Sequence, residues 1–269
     1  MPTTICFINQ KGGCGKSSSC FHLAGAFAQL NRRVLLVDAD PQGSLGQAFF
    51  GSETIENLTT HDTLAAVFSD GVVSHDNLKL IQPTPFDRIS ICPSNHHLHQ
   101  HNTPRPATTG MEQHAIWEFV QAQSEFDLIL FDCPPNLYRC TWTAMIAADY
   151  VIIPVPPEDF GTQGLRAVHQ AVENARQLNP QLRRLGHLVT RSDSRLLVHK
   201  SYERKLRGLY PELVFETVIP EATAFKVALT CRQPVQFYAK RSKAADLTRK
   251  LAREILDRIS MKNAESRVA

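Results

Sequence analysis

Short stretches rich in Val, Ile and Leu recur along the chain, at residues 4–9, 33–38, 88–92, 127–132, 150–155, 185–190 and 213–219. Each is strand-length and nearly continuous in apolar character, as expected for strands covered on both faces. Between most of them the apolar positions take helical spacing. Phe21, Leu23, Ala24, Phe27 and Leu30 mark one such segment, and residues 164–178 and 244–259 read the same way. Strands alternating with helices imply βαβ units, hence an α/β fold with a doubly wound, mainly parallel sheet flanked by helices. No repeat or linker divides the chain, so one domain is expected over residues 1–262, followed by a flexible tail at 263–269. Residues 93–110 hold four histidines, three prolines and no acidic residue, and predict an exposed loop or irregular helix pair.

Composition narrows the class. Hydrophobic residues make up 43% of the 269, enough for a sizeable core, and charged residues 20%. No run approaches the ~18 apolar residues of a membrane span. No signal pattern precedes the first strand, so a cytoplasmic protein is expected. The seven cysteines are scattered and contain no Cys-x-x-Cys pair, which fits reduced thiols better than a disulfide framework or zinc ribbon. A net charge of +3 conceals an asymmetry. Residues 1–180 carry 10 Lys+Arg against 17 Asp+Glu, and residues 181–269 carry 19 against 9. The last third is therefore either a polyanion-binding surface or a set of solvated basic helix faces.

The first strand runs into Gln10-Lys11-Gly12-Gly13-Cys14-Gly15-Lys16-Ser17-Ser18, and a helix follows. Glycines let backbone N–H groups converge on phosphate oxygens, and the helix N-terminus adds partial positive charge. The expected nucleotide-binding residues here are Gly12, Gly13, Cys14, Gly15, Lys16, Ser17 and Ser18. Lys16 would reach the β- and γ-phosphates and Ser17 would place its hydroxyl on Mg²⁺. Such a loop needs a carboxylate at a neighbouring strand end. Residues 128–131, all apolar, lead to Asp132 as a candidate Mg²⁺ partner. A second acidic strand end is Asp38-Ala39-Asp40-Pro41-Gln42-Gly43, where a carboxylate can fix a water or accept its proton.

The ordinary Walker A pattern has glycine where this chain has Gln10. The loop instead resembles the deviant Walker A motif, Lys-Gly-Gly-x-Gly-Lys-Ser/Thr, of the ParA/MinD family of ATPases. The resemblance extends over nearly the whole chain. The Asp38–Gly43 segment resembles the family's first switch, and Cys133-Pro134-Pro135 its second. Residues 155–158 with Phe160, Gly164 and Leu165 look like the strand and helix bordering a dimer face. Residues 190–195 resemble a segment near the nucleotide base, and 217–220 the strand end whose following turn, at Pro220 and Glu221, lies against adenine. Pro234, Val235 and residues 244–256 resemble the closing segment and last helix.

The resemblance implies an Mg²⁺-dependent ATPase with a slow intrinsic rate. Asp40 would orient the attacking water and Asp38 would support the Mg²⁺ shell. Lys11 would reach across an ATP-dependent homodimer to the partner's nucleotide. Lys11, Lys16 and Asp40 are thus the expected catalytic residues, and Ser17, Asp38 and Asp132 the metal group.

It also implies non-specific binding of double-stranded DNA, with nucleoid association, through basic residues of the last third. Arg195, Lys240 and Arg241 are the leading candidates. Hydrolysis would be stimulated by a ParB-like or cargo-adaptor protein, so that a plasmid, chromosome or protein complex is segregated or positioned. Where relatives often carry Arg-Asn this chain has Glu221-Ala222, and it begins without the N-terminal extension of operator-binding members, so operator-based self-regulation is not expected. A MinD-like membrane-surface ATPase is the alternative, but the mainly polar stretch after Ile259 lacks aromatic or leucine anchors, so no membrane partner is expected. An iron–sulfur cluster on Cys92, Cys133 and Cys140, and a metal on His96, His97, His99 and His101, are weaker readings.

Overall fold

The computed structural model describes residues 1–69, 80–104, 113–157 and 162–268. The strands are β1 (Thr3–Phe7), β2 (Val34–Asp38), β3 (Gln82–Pro83), β4 (Ile89–Cys92), β5 (Leu128–Asp132), β6 (Tyr150–Val155) and β7 (Arg183–Val189). They form one sheet in the order β3-β4-β2-β5-β1-β6-β7, parallel except for the β3–β4 pair. The helices are α1 (Lys16–Gln29), α2 (Ser44–Phe50), α3 (Ser52–Glu56), α4 (Ala65–Ser69), α5 (Ala115–Gln121), α6 (Arg139–Ala147), α7 (Thr162–Ala175), α8 (Leu197–Leu209), α9 (Thr223–Thr230), α10 (Val235–Tyr238) and α11 (Lys243–Val268). The mainly parallel, doubly wound sheet expected from the apolar pattern is present.

Strand alternation divides the core into two layers. Cys6, Leu35, Val37, Ile129 and Phe131 face a layer containing Phe119 of α5, Trp142 and Met145 of α6 and Val168 of α7. Ile5, Phe7, Leu36 and Leu130 face the opposite layer, with Phe21, Leu23 and Phe27 of α1 and Leu251 and Ile255 of α11. Truncating a side chain such as Phe131 to alanine should cost about 3–5 kcal/mol. Helix α1 starts where Gly15 takes a left-handed backbone (φ 91°). It ends at Asn31 (φ 60°), whose N–H donates to the Ala28 carbonyl while that of Arg32 donates to Phe27. This closure satisfies the last carbonyls of the helix.

The structure differs from the sequence expectation at four places. Residues 213–219 do not form a ladder strand; beside β7 they make an isolated bridge, Val214 with His187, and Ile219 N–H donates to the Val189 carbonyl at 2.9 Å. Side chains satisfy much of their backbone instead. Arg258 donates to the Glu212 and Val214 carbonyls, Arg207 to that of Phe215, and Glu254 accepts from Glu216 and Thr217 N–H. Strand β3 is two residues long and contains Pro83, so it carries no apolar run to read; proline is tolerated there because the strand is at the edge. Helix α11 continues through Asn263 to Val268, where the tail was expected. Within residues 93–104, Ser94, Asn95 and Leu98 are buried and His96–Gln100 forms a 3₁₀ turn, so this part is not a simple exposed loop. Residues 105–110, with Glu158 and Phe160, lie outside the described residues.

Candidate nucleotide-binding site

The loop between β1 and α1 is held open by backbone and neighbouring strands. Gly13 and Gly15 adopt left-handed conformations (φ 68° and 91°), which residues with a Cβ disfavour. Asn9 anchors the entry: its side-chain amide donates to the Pro154 carbonyl at 2.7 Å, and its oxygen accepts from Lys11 N–H at 3.0 Å. Lys16 is buried, and its Nζ donates to the carbonyls of Asn9 (3.2 Å) and Lys11 (3.3 Å). Just after β7, Thr190 Oγ1 donates to the Cys14 carbonyl at 2.7 Å and Arg191 Nη1 to that of Gly13 at 3.0 Å. These bonds engage four carbonyls of the loop and its approach, beside an open space.

That space is a cavity of about 480 Å³. Gly12, Gly13, Cys14, Gly15, Lys16, Ser17 and Ser18 line one end, with Asp40 beside them. The other end is a largely apolar slot of Ile219, Pro220, Phe225, Leu229 and Leu251, with Glu221 at its rim bonded to Lys226 at 2.6 Å. A polar cradle joined to an apolar slot suits an anionic ligand with a flat ring.

The carboxylates sit behind the loop. Asp38 and Asp132 are paired residues at the C-terminal ends of the adjacent strands β2 and β5, and both are fully buried. Burial pushes the Asp132 carboxyl up to about 7; the nearby Ser17 hydroxyl and Lys16 ammonium pull it down, and Asp40 raises it. Neither Asp132 oxygen completes a hydrogen bond, although the Ser17 hydroxyl is close. Such orphaned buried acceptors fit a cation or its water shell. No group of three His, Cys, Asp or Glu side chains that could hold a metal occurs among the described residues. An ion at Ser17 and Asp132 would therefore take its remaining oxygens from a ligand's phosphates and water.

Asp38 is raised well above the usual carboxylate range, by burial and then by Asp132. Both its oxygens are engaged: it accepts from Leu45 and Gly46 N–H at 3.0 Å and from Asp40 N–H at 3.2 Å. Its visible role is to cap the first turn of α2, where Gly43 offers no side chain. Asp40 is half-buried, accepts from Gln42 N–H at 3.0 Å and borders the cavity. Lys11 is half-exposed and does not line it.

Other candidates are not brought to the cavity. Arg195, Lys240 and Arg241 are exposed, and the Arg195 guanidinium is forked onto Asp193 at 2.6 and 3.0 Å. Cys92, Cys133 and Cys140 are buried, and burial raises each thiol pKa. His101 stacks on Phe68. Sequence reasoning did not find His22, Phe225, Leu229 or Leu251 as lining residues. His22 lies on α1 within an otherwise apolar buried face, and the other three lie on helices remote in the chain, where apolar spacing signals only core. No helix among the described residues is long and apolar enough to cross a membrane.

A doubly wound sheet with a glycine loop after β1 and a buried acid at the end of β5 defines a P-loop nucleotidase. Residues 2–184 match the AAA domain family. The chain is 30% identical to a chromosome partitioning protein ParA of Myxococcus xanthus, covering 98% of this chain and 92% of that one. It is 32% identical to the chromosome-partitioning ATPase Soj of Thermus thermophilus, over 95% and 96% of the two. A solved structure of cobyrinic acid a,c-diamide synthase from Mycobacterium smegmatis with bound ATP analogue and magnesium superposes with a TM-score of 0.77, at 25% identity over 95% of each chain. The chain belongs to the ParA family of partitioning ATPases, and it is an ATPase.

Proposed function

We propose that this ATPase is a molecular switch that segregates or positions a cargo. It binds ATP with magnesium, pairs face to face with a second copy, holds double-stranded DNA non-specifically in that state, and releases after hydrolysis stimulated by a partner protein. Its similarity to partitioning proteins supports the cargo role. The observation that carries the switch is the pair of lysines on one phosphate loop. Lys16 is buried and bonded inward to the loop, as a lysine serving its own nucleotide should be. Lys11 is half-exposed and away from the cavity lining, a position from which it can serve a second copy.

The chain's residues divide the work. Loop N–H groups and Lys16 bind the phosphates, the slot between Pro220 and Phe225 takes the base, and Ser17 with Asp132 would hold magnesium. When bound, magnesium offsets phosphate charge. Asp40, beside the phosphate end, orients a water and takes its proton. Lys240 and Arg241 are offered to DNA phosphates, where contacts carry little sequence information.

The test is Lys11→Ala, examined by nucleotide titration and analytical ultracentrifugation. ATP affinity within twofold of wild type, with loss of the ATP-dependent dimer and of DNA retention, is expected. An intact ATP-dependent dimer overturns the reading. DNA retention compared with ATP, ADP and no nucleotide, with liposome pelleting alongside, distinguishes a DNA-bound switch from a membrane-bound one.

A further inference from the structure

Residues 93–103 touch the site at two places. Ser94 is fully buried, and its hydroxyl donates to the Asp40 carbonyl. The same carbonyl accepts from Gly43 N–H, closing the turn that carries Asp40. Gly43 is left-handed (φ 63°), and a Cβ there would collide with the Ser94 carbonyl oxygen, so turn and Ser94 backbone are in close contact. Asn95, also buried, donates to the carbonyls of Ile55 (3.0 Å) and Leu58 (2.9 Å) and accepts from His97 N–H at 3.1 Å. Leu98 is fully buried in the core. This end of the segment is rigidly held.

The other end reaches the element that follows Asp132. Helix α6 begins at Arg139, and its N-cap Tyr138 makes no side-chain cap. Two of its first N–H groups, which no helix can satisfy internally, are met from residues 102 and 103. Arg139 N–H donates to the Thr103 carbonyl at 3.0 Å and Cys140 N–H to Asn102 Oδ1 at 3.4 Å. One short strap thus ties the Asp40 turn to the helix behind the Asp132 strand end.

We propose that Ser94 and Asn102 are positioning residues for ATP hydrolysis, Ser94 fixing the Asp40 turn and Asn102 the start of α6, so that the strap sets both sides of the phosphate end together. The inference rests on the reading of Asp40 as the water-orienting group. Neither residue lines the nucleotide cavity, so each acts on turnover and not on nucleotide affinity.

The experiment measures kcat, KM, ATP affinity by titration and thermal midpoint for Ser94→Ala, Asn102→Ala, Asn102→Asp, the Ser94→Ala/Asn102→Ala double variant and Asp40→Ala. Ser94→Ala is expected to lower kcat about tenfold, the loss of one hydrogen bond's worth of orientation, with ATP affinity within twofold. Asn102→Ala is expected to lower kcat a few-fold, about threefold. Asn102→Asp keeps an acceptor for Cys140 N–H and should restore at least half of that loss. If the strap acts as one unit, the double variant loses less than the product of the single effects.

Unchanged kcat in Ser94→Ala, or a fall matched by equal loss of ATP affinity, overturns the proposal. So does failure of Asn102→Asp to rescue, which is read on a half-buried residue even if Ser94→Ala does not fold. Asp40→Ala separates the two levels. If it hydrolyses ATP like wild type, the reading of Asp40 falls and the inference with it. If it is inactive while both strap variants turn over normally, only the inference falls.

Discussion

The sheet edge beneath the phosphate loop and the basic last third handle charge in opposite ways. At the sheet edge, Lys16, Asp38 and Asp132 are buried, and the first two are bonded chiefly to backbone. In the last third charges are many and mostly exposed, and several are paired with near neighbours in sequence. Arg195 meets Asp193, Arg207 meets Glu203, Lys226 meets Glu221, and Arg249 meets Asp246. A buried charge is specified by its surroundings, so one change there is severe. Exposed pairs contribute little singly and are screened by salt. Several basic residues of the last third are thus neutralised locally, and any DNA affinity must come from the sum of the surplus left over.

The largest expected effect tests the buried side. Lys16→Ala removes the ammonium from the loop and should weaken ATP binding about 100-fold, the value of one or two charge-assisted bonds. Titration with a fluorescent ATP analogue measures it. Affinity within threefold of wild type would mean that the loop backbone alone binds phosphate, and the contrast between the two regions would be lost.

Burial also sets a pH dependence. His22, which borders the cavity, and His187, in β7, are both buried, and burial lowers each from 6.5 to about 3. For each, the unfolded chain binds a proton below about pH 6.5 while the folded protein stays unprotonated to about pH 3. The unfolded state then holds more protons at that site, so each histidine's contribution to stability falls as pH drops through that window and is fully present above it. The loss is about 1.4 kcal/mol per pH unit for each histidine, or about 2 kcal/mol each by pH 5. Asp132 and Asp38, raised in the folded protein, gain stability over the same range and oppose this, so the check is urea unfolding of wild type and His187→Phe at pH 7 and pH 5: the wild type should lose about 2 kcal/mol more than the variant between the two. Equal pH dependence of the two would show that the His187 ring is hydrated in the folded protein.

How much was readable before the fold was known follows the same division. The sheet was readable because strands covered on both faces must be continuous in Val, Ile and Leu, as residues 128–131 are. The loop from Gly12 to Ser18 and the acids at 40 and 132 were readable as a candidate site because phosphate chemistry restricts residue types at fixed spacing, and the fold brings Gly12–Ser18 and Asp40 to one cavity. Asp38 was only half readable. Its place at a strand end was clear, but its engagement with the Leu45 and Gly46 N–H groups depends on how α2 turns back. The apolar slot was hardly readable, since Phe225, Leu229 and Leu251 look like any core residue until helices packed from distant parts of the chain enclose them. Residues 213–219 looked like a strand because their composition suits one. That Arg207, Arg258 and Glu254 take over their backbone bonds is a tertiary fact with no local signal.

Thr190 lies between the two regions. Its hydroxyl holds the Cys14 carbonyl, and its side chain packs on Gly15. Thr190→Val keeps the shape and removes the bond, so about 1 kcal/mol of loop order is lost and ATP affinity should fall about fivefold. An unchanged affinity would place the organisation of the loop entirely within its own glycines.

The smallest effects concern the exposed side, and they sharpen the comparison most. If DNA phosphates are held by the unpaired remainder of the basic surface, Lys240→Ala and Arg241→Ala should each lower ATP-dependent DNA affinity. Each should also reduce the dependence of log affinity on log salt by about one phosphate contact. Arg195→Ala should do less of both, because Asp193 already neutralises that guanidinium. Asp193→Asn then becomes the informative variant. It removes the competing carboxylate charge, so DNA binding should tighten about two- to threefold and become more salt-sensitive. If Arg195→Ala weakens binding as much as Lys240→Ala, and Asp193→Asn has no effect, the Arg195–Asp193 pair opens at no energetic cost on DNA. Local pairing would then be a poor guide to which charges this surface can use.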